Sequence, residues 1–167
     1  MPDWLISLIA AFLGAFGGTL LNRYLSIVDK RNLRDKEILS KLKLLFLDNG
    51  LYVYIKSHHF GEPFDIEVIE NLSKFTNYCY ENPDFRFIKK DLEKKRMELL
   101  KSVEVFDYTL SLKSFNYGNG INRIPNPDYD DDVDFGEFQK TSIELNQLSL
   151  EITQCYDSLM ISGLNIN

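Results

Sequence analysis

The chain is poor in the residues that build metal centres and disulfide frameworks. Its 167 residues include two cysteines, two histidines and one tryptophan. Cys79 and Cys155 lie far apart with no ligand spacing around either. That excludes a zinc ribbon or a disulfide scaffold and leaves two buried thiols as the expectation. His58 and His59 are adjacent, and neighbours on a helix or strand point apart, so they cannot readily chelate one metal together. A structural or surface role is expected of them, with pH sensing as the alternative. No HExxH, GxSxG, phosphate loop or dinucleotide fingerprint occurs. Nothing local supports a pairing of Cys79 with either histidine as nucleophile and base. The expectation is therefore no catalytic residue, no metal and no cofactor, hence not an enzyme.

Charge is missing from the start of the chain. Trp4 to Leu21 is eighteen residues without Asp, Glu, Lys or Arg. At about 1.5 Å per residue this run reaches roughly 27 Å as a helix, close to the ~30 Å hydrocarbon core of a bilayer. Residues 1–21 are thus expected to be a transmembrane helix. Met1–Asp3 holds no Lys or Arg, which argues against a signal peptide. Basic residues follow the run at Arg23, Lys30, Arg31, Arg34, Lys36, Lys41 and Lys43. The positive-inside rule then puts the N-terminus outside and the body in the cytoplasm of a bacterial inner membrane, with Trp4 and Tyr24 as interfacial aromatics.

The run has two unlike faces. Ala10, Gly14 and Gly18 form a ridge of small residues, and Ala11, Ala15 and Thr19 form a second beside it. Phe12 and Phe16 lie on the opposite, bulky half. Small ridges let helices approach closely in lipid, so Ala10, Ala11, Gly14, Ala15 and Gly18 are expected to pack copies of the chain into a homo-oligomer. Ser7, Thr19, Asn22 and Ser26 fall within about 120° of one another on a continuous helix. They are candidates to line a lumen.

Past the apolar run the charge divides. Residues 22–60 carry eight Lys/Arg and four Asp/Glu, a net of +4, and residues 61–167 carry eleven and twenty, a net of −9. The basic part adjoins the membrane, where anionic lipid attracts it. The acidic distal part argues against direct nucleic-acid binding.

Leu21, Leu25, Val28, Asn32, Asp35, Leu39, Leu42 and Phe46 recur at spacings of four and three, a coiled-coil-like stripe. Asn32 and Asp35 interrupt it, either as polar seam positions that set register or as a solvated neck. Asp48-Asn-Gly50 is a turn signal, and Leu51–Ile55 reads as helix. Asp65 caps a helix running to about Tyr80. Asn82-Pro83-Asp84 opens a long helix over about 83–115, with Glu93, Lys94 and Lys95 as a solvated run. A loop follows over Tyr117–Phe135. Asp134 and Glu137 form a capping box for a last helix ending at Gly163. The expected fold is all-α: a transmembrane helix (1–21), a helical neck and start of the bundle (22–60) and a cytoplasmic helical bundle of about four helices (61–167).

Asp128, Asp130, Asp131, Asp132 and Asp134 crowd one loop. Numbered as a calcium loop from Asp130, the glycine arrives one place late at Gly136, and Thr141 replaces the closing glutamate. An exposed acidic loop is expected, with a partner-docking surface as the alternative.

Asn82-Pro83 followed by Phe87 and Leu92, and Ile124-Pro125 before the last helix, accompany a layout that spans the whole chain. In that layout the chain resembles the small membrane accessory proteins encoded beside RNA-targeting type VI-B CRISPR nucleases. The resemblance implies a divergent HEPN-like helical domain, a ring of protomers depolarising the inner membrane, and a cytoplasmic defence protein as partner. HEPN ribonucleases place an Arg four to six residues before a His. No Arg lies within twenty residues before His58, which disfavours a membrane-tethered ribonuclease. The remaining alternative is a single-pass anchored module that recruits a cytoplasmic partner.

Overall fold

A computed structural model describes the backbone of residues 3–48 and 50–166 and the side chains of 20, 22–47 and 50–166. Helix α1 runs unbroken over Asp3–Lys43 and passes into a π-helical turn at Leu44–Asp48. Gly50 then turns the chain with φ of +76°, a left-handed conformation glycine adopts without strain. Helix α2 follows at Leu51–Ser57, burying Leu51 and Ile55. Among the described residues no helix is long and apolar enough to cross a membrane. The predicted span lies outside the described side chains except for Leu20.

The stripe along α1 is not one continuous coiled-coil seam. Its lower half enters the chain's own core, where Ile38, Leu39, Leu42 and Phe46 are buried. The Phe46 ring sits 5.0 Å from Phe75 and 5.2 Å from Tyr156. Nor are Asn32 and Asp35 solvated, since both are buried. Asp35 accepts the backbone N–H of Ile88 at 2.6 Å and of Lys89 at 3.1 Å.

Helix α3 spans Ile66–Glu81, α4 spans Lys90–Lys113 and α5 spans Phe135–Gly163. The caps of α3 and α5 are those expected. Asp65 accepts from the N–H of Glu67 at 3.2 Å, and Asp134 from that of Glu137 at 3.0 Å. Helix α4 starts later than Pro83, because Phe85 and Phe87 are both buried. In a helix, residues two apart point about 200° from each other, so only an irregular segment can turn both rings inward. The run at Glu93 is not uniformly solvated either. Glu93 pairs with the buried Arg96 at 2.6 Å and accepts the N–H of Phe87 at 2.9 Å, while Lys95 donates to the Ser158 hydroxyl at 2.6 Å. Ile88, Leu112 and Ile143 are exposed.

The body is mostly helical but not all-α. Strands β1 (Phe64–Asp65), β2 (Phe115–Asn116) and β3 (Ile121–Arg123) form an antiparallel sheet in the order β1-β3-β2. Phe64 pairs with Asn122, and Phe115 with Arg123. Gly118, Asn119 and Gly120 all have positive φ, which makes the reversal between β2 and β3. Strands this short leave no readable alternation.

Gly163 does more than end α5. A Cβ placed there would lie 2.5 Å from Leu39 Cδ2, so the absent side chain lets α5 close on α1.

Candidate functional site

The bundle has two unlike ends. Helix α1 enters at one end, where the Arg34 guanidinium donates to the Asp84 carbonyl at 2.7 Å and Asp35 holds the segment before α4. The sheet, the start of α5 and the acidic loop lie at the other.

At the entry end, Asn22 and Ser26 are exposed on α1, beside Asp29 and Lys30. These are the two described members of the expected lumen set. Ser7 and Thr19, and the expected packing positions Ala10, Ala11, Gly14, Ala15 and Gly18, lie outside the described side chains.

At the far end the five aspartates divide by role. Asp130 binds Arg123 at 3.0 Å, the N–H of Asn126 at 3.0 Å and the Tyr117 hydroxyl at 3.3 Å. The Arg123 guanidinium lies 3.7 Å from the centre of the Tyr117 ring and 4.5 Å from that of Tyr129, an arrangement that favours the cation. Asp130 therefore ties the loop together, and Asp134 caps α5. Asp128, Asp131 and Asp132 are exposed. A cleft of about 310 Å³ opens beside them, lined by the apolar Leu112, Phe115, Val133 and Phe138 and by the charged Lys113, Asp132 and Glu137. Sequence reasoning missed this cleft. Its members come from four segments, and its one local signal, the apolar Phe115 just past α4, reads equally well as core.

The histidines point apart. His58 is half-buried, stacked 4.7 Å from Tyr54 and edge-on to Phe60 at 4.9 Å. Its Nε2 is buried without a hydrogen-bond partner. Burial pushes its pKa below the usual histidine value; Glu62 opposes the shift and His59 adds to it. His59 is exposed, and its Nδ1 accepts the N–H of Gly61 at 3.2 Å. Neither has a partner fit for acid–base work. Burial raises the Cys79 thiol to about 11, with Arg96 pulling against it, so the thiolate is scarce at neutral pH. Cys155 Sγ lies 3.6 Å from the Ser102 hydroxyl.

No family model, curated protein or solved structure matches the chain. Function is therefore argued from the chain's own residues. One further perturbed group is Asp107, between α3 and α4. Burial raises its carboxyl pKa, and the Ser73 hydroxyl, donating at 3.0 Å, opposes the shift. Its Oδ1 is buried without a partner. No histidine or second carboxylate is hydrogen-bonded to it, so it has no partner for proton relay.

Proposed function

We propose that this chain is a membrane-embedded homo-oligomer that forms a pore or permeability path in a bacterial inner membrane, with its helical body in the cytoplasm. The observation that carries the reading is the exposure of Asn22 and Ser26 on α1, in a groove that Leu25 and Leu33 also line. By sequence register on one helix, Ser7 and Thr19 would fall on the same side as Asn22 and Ser26. Small residues at Ala10, Ala11, Gly14, Ala15 and Gly18 would bring neighbouring helices together. The polar face then turns to a lumen, and Phe12 and Phe16 turn to lipid. A setting in phage defence, accessory to an RNA-targeting CRISPR nuclease, is supported by the resemblance in layout.

Dye release from vesicles and particle mass in detergent test the reading together. The wild-type chain is expected to run as an oligomer and to release dye. Gly14→Leu with Gly18→Leu is expected to reduce both. A monomeric wild type, or unchanged mass and release in the variant, would sink the proposal.

A second reading is an anchored module that recruits a partner through the far end of the bundle. The cleft at Phe115 and Phe138, where Asp132 and Glu137 outnumber Lys113, favours a basic, apolar peptide. Under this reading, replacing residues 1–21 with an unrelated span preserves activity.

A further inference from the structure

The face of α1 that enters the core does not stop being apolar where the bundle ends. Leu20, Tyr24, Leu25 and Ile27 are 57%, 64%, 49% and 43% exposed. Arg23 is the only charge from Leu20 to Val28. This uncovered apolar length ends at Asp29-Lys30-Arg31, some seven residues past the boundary set by the charge-free run alone.

A second basic segment folds against this point. Residues 30–36 carry four Lys/Arg and one Asp, and residues 86–95 carry five Lys/Arg and two Asp/Glu. The Arg34–Asp84 and Asp35–Lys89 hydrogen bonds lay the two side by side. Part of this charge is met within the fold, where Glu37 pairs with Arg34 at 3.7 Å and Glu98 with Lys94 at 3.8 Å. Asp35 is buried on backbone N–H groups, and Glu93 is taken by Arg96. Asp29, Glu37, Asp84 and Asp91 are exposed, and the basic charge beyond them falls on Arg86, Lys89 and Lys90. The positive excess that remains favours a polyanion facing this end. Exposed apolar tips stand among them: Ile88 is 47% exposed and Leu164, at the end of α5, is 76% exposed. A groove of about 570 Å³ between Lys89, Lys90, Lys95 and Asn165 opens at the same end.

Height along α1 connects the two observations. Val28 to Arg34 is about 9 Å of helix, whereas Leu21 to Arg34 is about 20 Å. The headgroup layer is roughly 5–7 Å deep on each side of the hydrocarbon, and the Debye length is about 8 Å at physiological salt. Only a boundary near Val28 brings the basic end within reach of lipid phosphates.

We propose that the bundle end formed by Arg34, Arg86, Ile88, Lys89 and Lys90 docks on an anionic bilayer surface, with the hydrocarbon boundary at Val28. This rests on the membrane reading above. Lipid is favoured over nucleic acid because apolar tips accompany the charge.

The test uses the full chain with Ile88→Cys and Cys155→Ser, labelled with an environment-sensitive fluorophore and reconstituted in phosphatidylcholine vesicles with or without phosphatidylglycerol. Buried Cys79 does not compete for label. The expected result is a blue shift and quenching by spin-labelled lipid in the anionic vesicles. Both should be lost with Arg86→Glu and Lys90→Glu, whose side chains are exposed. A chain that floats with vesicles while its label stays in water overturns docking and leaves the membrane reading intact. A chain that does not float overturns both. A blue shift without lipid quenching, or a shift produced by single-stranded RNA, overturns docking in favour of a protein or nucleic-acid partner.

Discussion

Asp35 in α1 anchors the start of α4, accepting the N–H of Lys89 at 3.1 Å across 54 positions of sequence. The N-cap residue of α4, Lys89, has no side-chain cap of its own. Asp35, from another helix, instead holds the N–H groups of Ile88 and Lys89 just ahead of the first turn, whereas Asp65 and Asp134 accept from N–H groups inside the first turns of α3 and α5. The bond also fixes how α1 sits on the bundle.

Removing that acceptor leaves two part-buried backbone donors unmet. Asp35→Ala is expected to cost about 2–4 kcal/mol, from two backbone N–H groups left without their acceptor. Asp35→Asn keeps one acceptor oxygen and should cost about half as much. Denaturant unfolding of the full chain in detergent, followed by circular dichroism, measures both. Equal stability of wild type and Asp35→Ala would show that the contact is dispensable.

Gly163 and Leu39 are coupled by lack of space. Gly163→Ala pushes a methyl against Leu39 Cδ2 and is expected to cost about 1–3 kcal/mol by overpacking. Leu39→Ala alone should cost about 2–5 kcal/mol as a core truncation. In the double variant the added methyl occupies vacated space, so the summed losses should not be reached. A double-mutant cycle reads the coupling, and strict additivity would refute it.

His58 makes the fold sensitive to mild acid. Its folded pKa lies below the ordinary value near 6.5, so the unfolded chain takes up the proton first. Stability from this group is complete above about pH 6.5, falls as pH drops through that value, and levels off below the folded pKa. His58→Phe retains the ring packing and should flatten this part of the stability profile between about pH 7.5 and 5.5. An unchanged slope would place the titration elsewhere.

Asp107 carries the opposite sign. Its folded pKa is raised, so the folded state takes up the proton before the unfolded state does. Ionised Asp107 weakens the fold at neutral pH, and that loss is recovered as pH falls through its folded pKa. Asp107→Asn should therefore raise the melting temperature at pH 7 and lose its advantage in acid. A lower melting temperature at pH 7 would contradict this.

The acidic loop should separate by residue. Asp130→Ala frees Arg123 and the Asn126 N–H and is expected to cost about 1–3 kcal/mol. Asp131→Ala and Asp132→Ala, at exposed positions, should fall within about 0.5 kcal/mol of wild type. Limited trypsin digestion gives a local readout, because cleavage after Arg123 should accelerate only when Asp130 is removed. Equal digestion of the three variants would remove the distinction.

Helices α3 and α5 were legible in the chain because their signals are local. Asp65 and Asp134 cap within three residues, and positions such as Leu72, Phe75, Leu145 and Ile152 repeat on one helical face. The start of α4 was not legible. Asn82-Pro83-Asp84 is a sound opening signal, but the burial of both Phe85 and Phe87 outweighs it. The sheet was missed because two- and three-residue strands carry no period. The candidate surfaces were partly legible: the acidic loop is evident in composition, whereas the split between Asp130 and its neighbours depends on where Arg123 and Tyr117 fold.

By itself the sequence determined the charge-free run from Trp4 to Leu21, the basic flank after it, the helical periodicity of the body and two of its caps. Each of these depends on residues within a turn or two of one another. Only the tertiary structure decided that Asp35 is a buried acceptor, that Gly163 is a contact point with Leu39, and that Arg86, Lys89 and Lys90 stand beside Arg34. Hydrogen bonding, close packing and charge repulsion act through space over a few ångströms. Which distant residues come that near is a property of the folded chain.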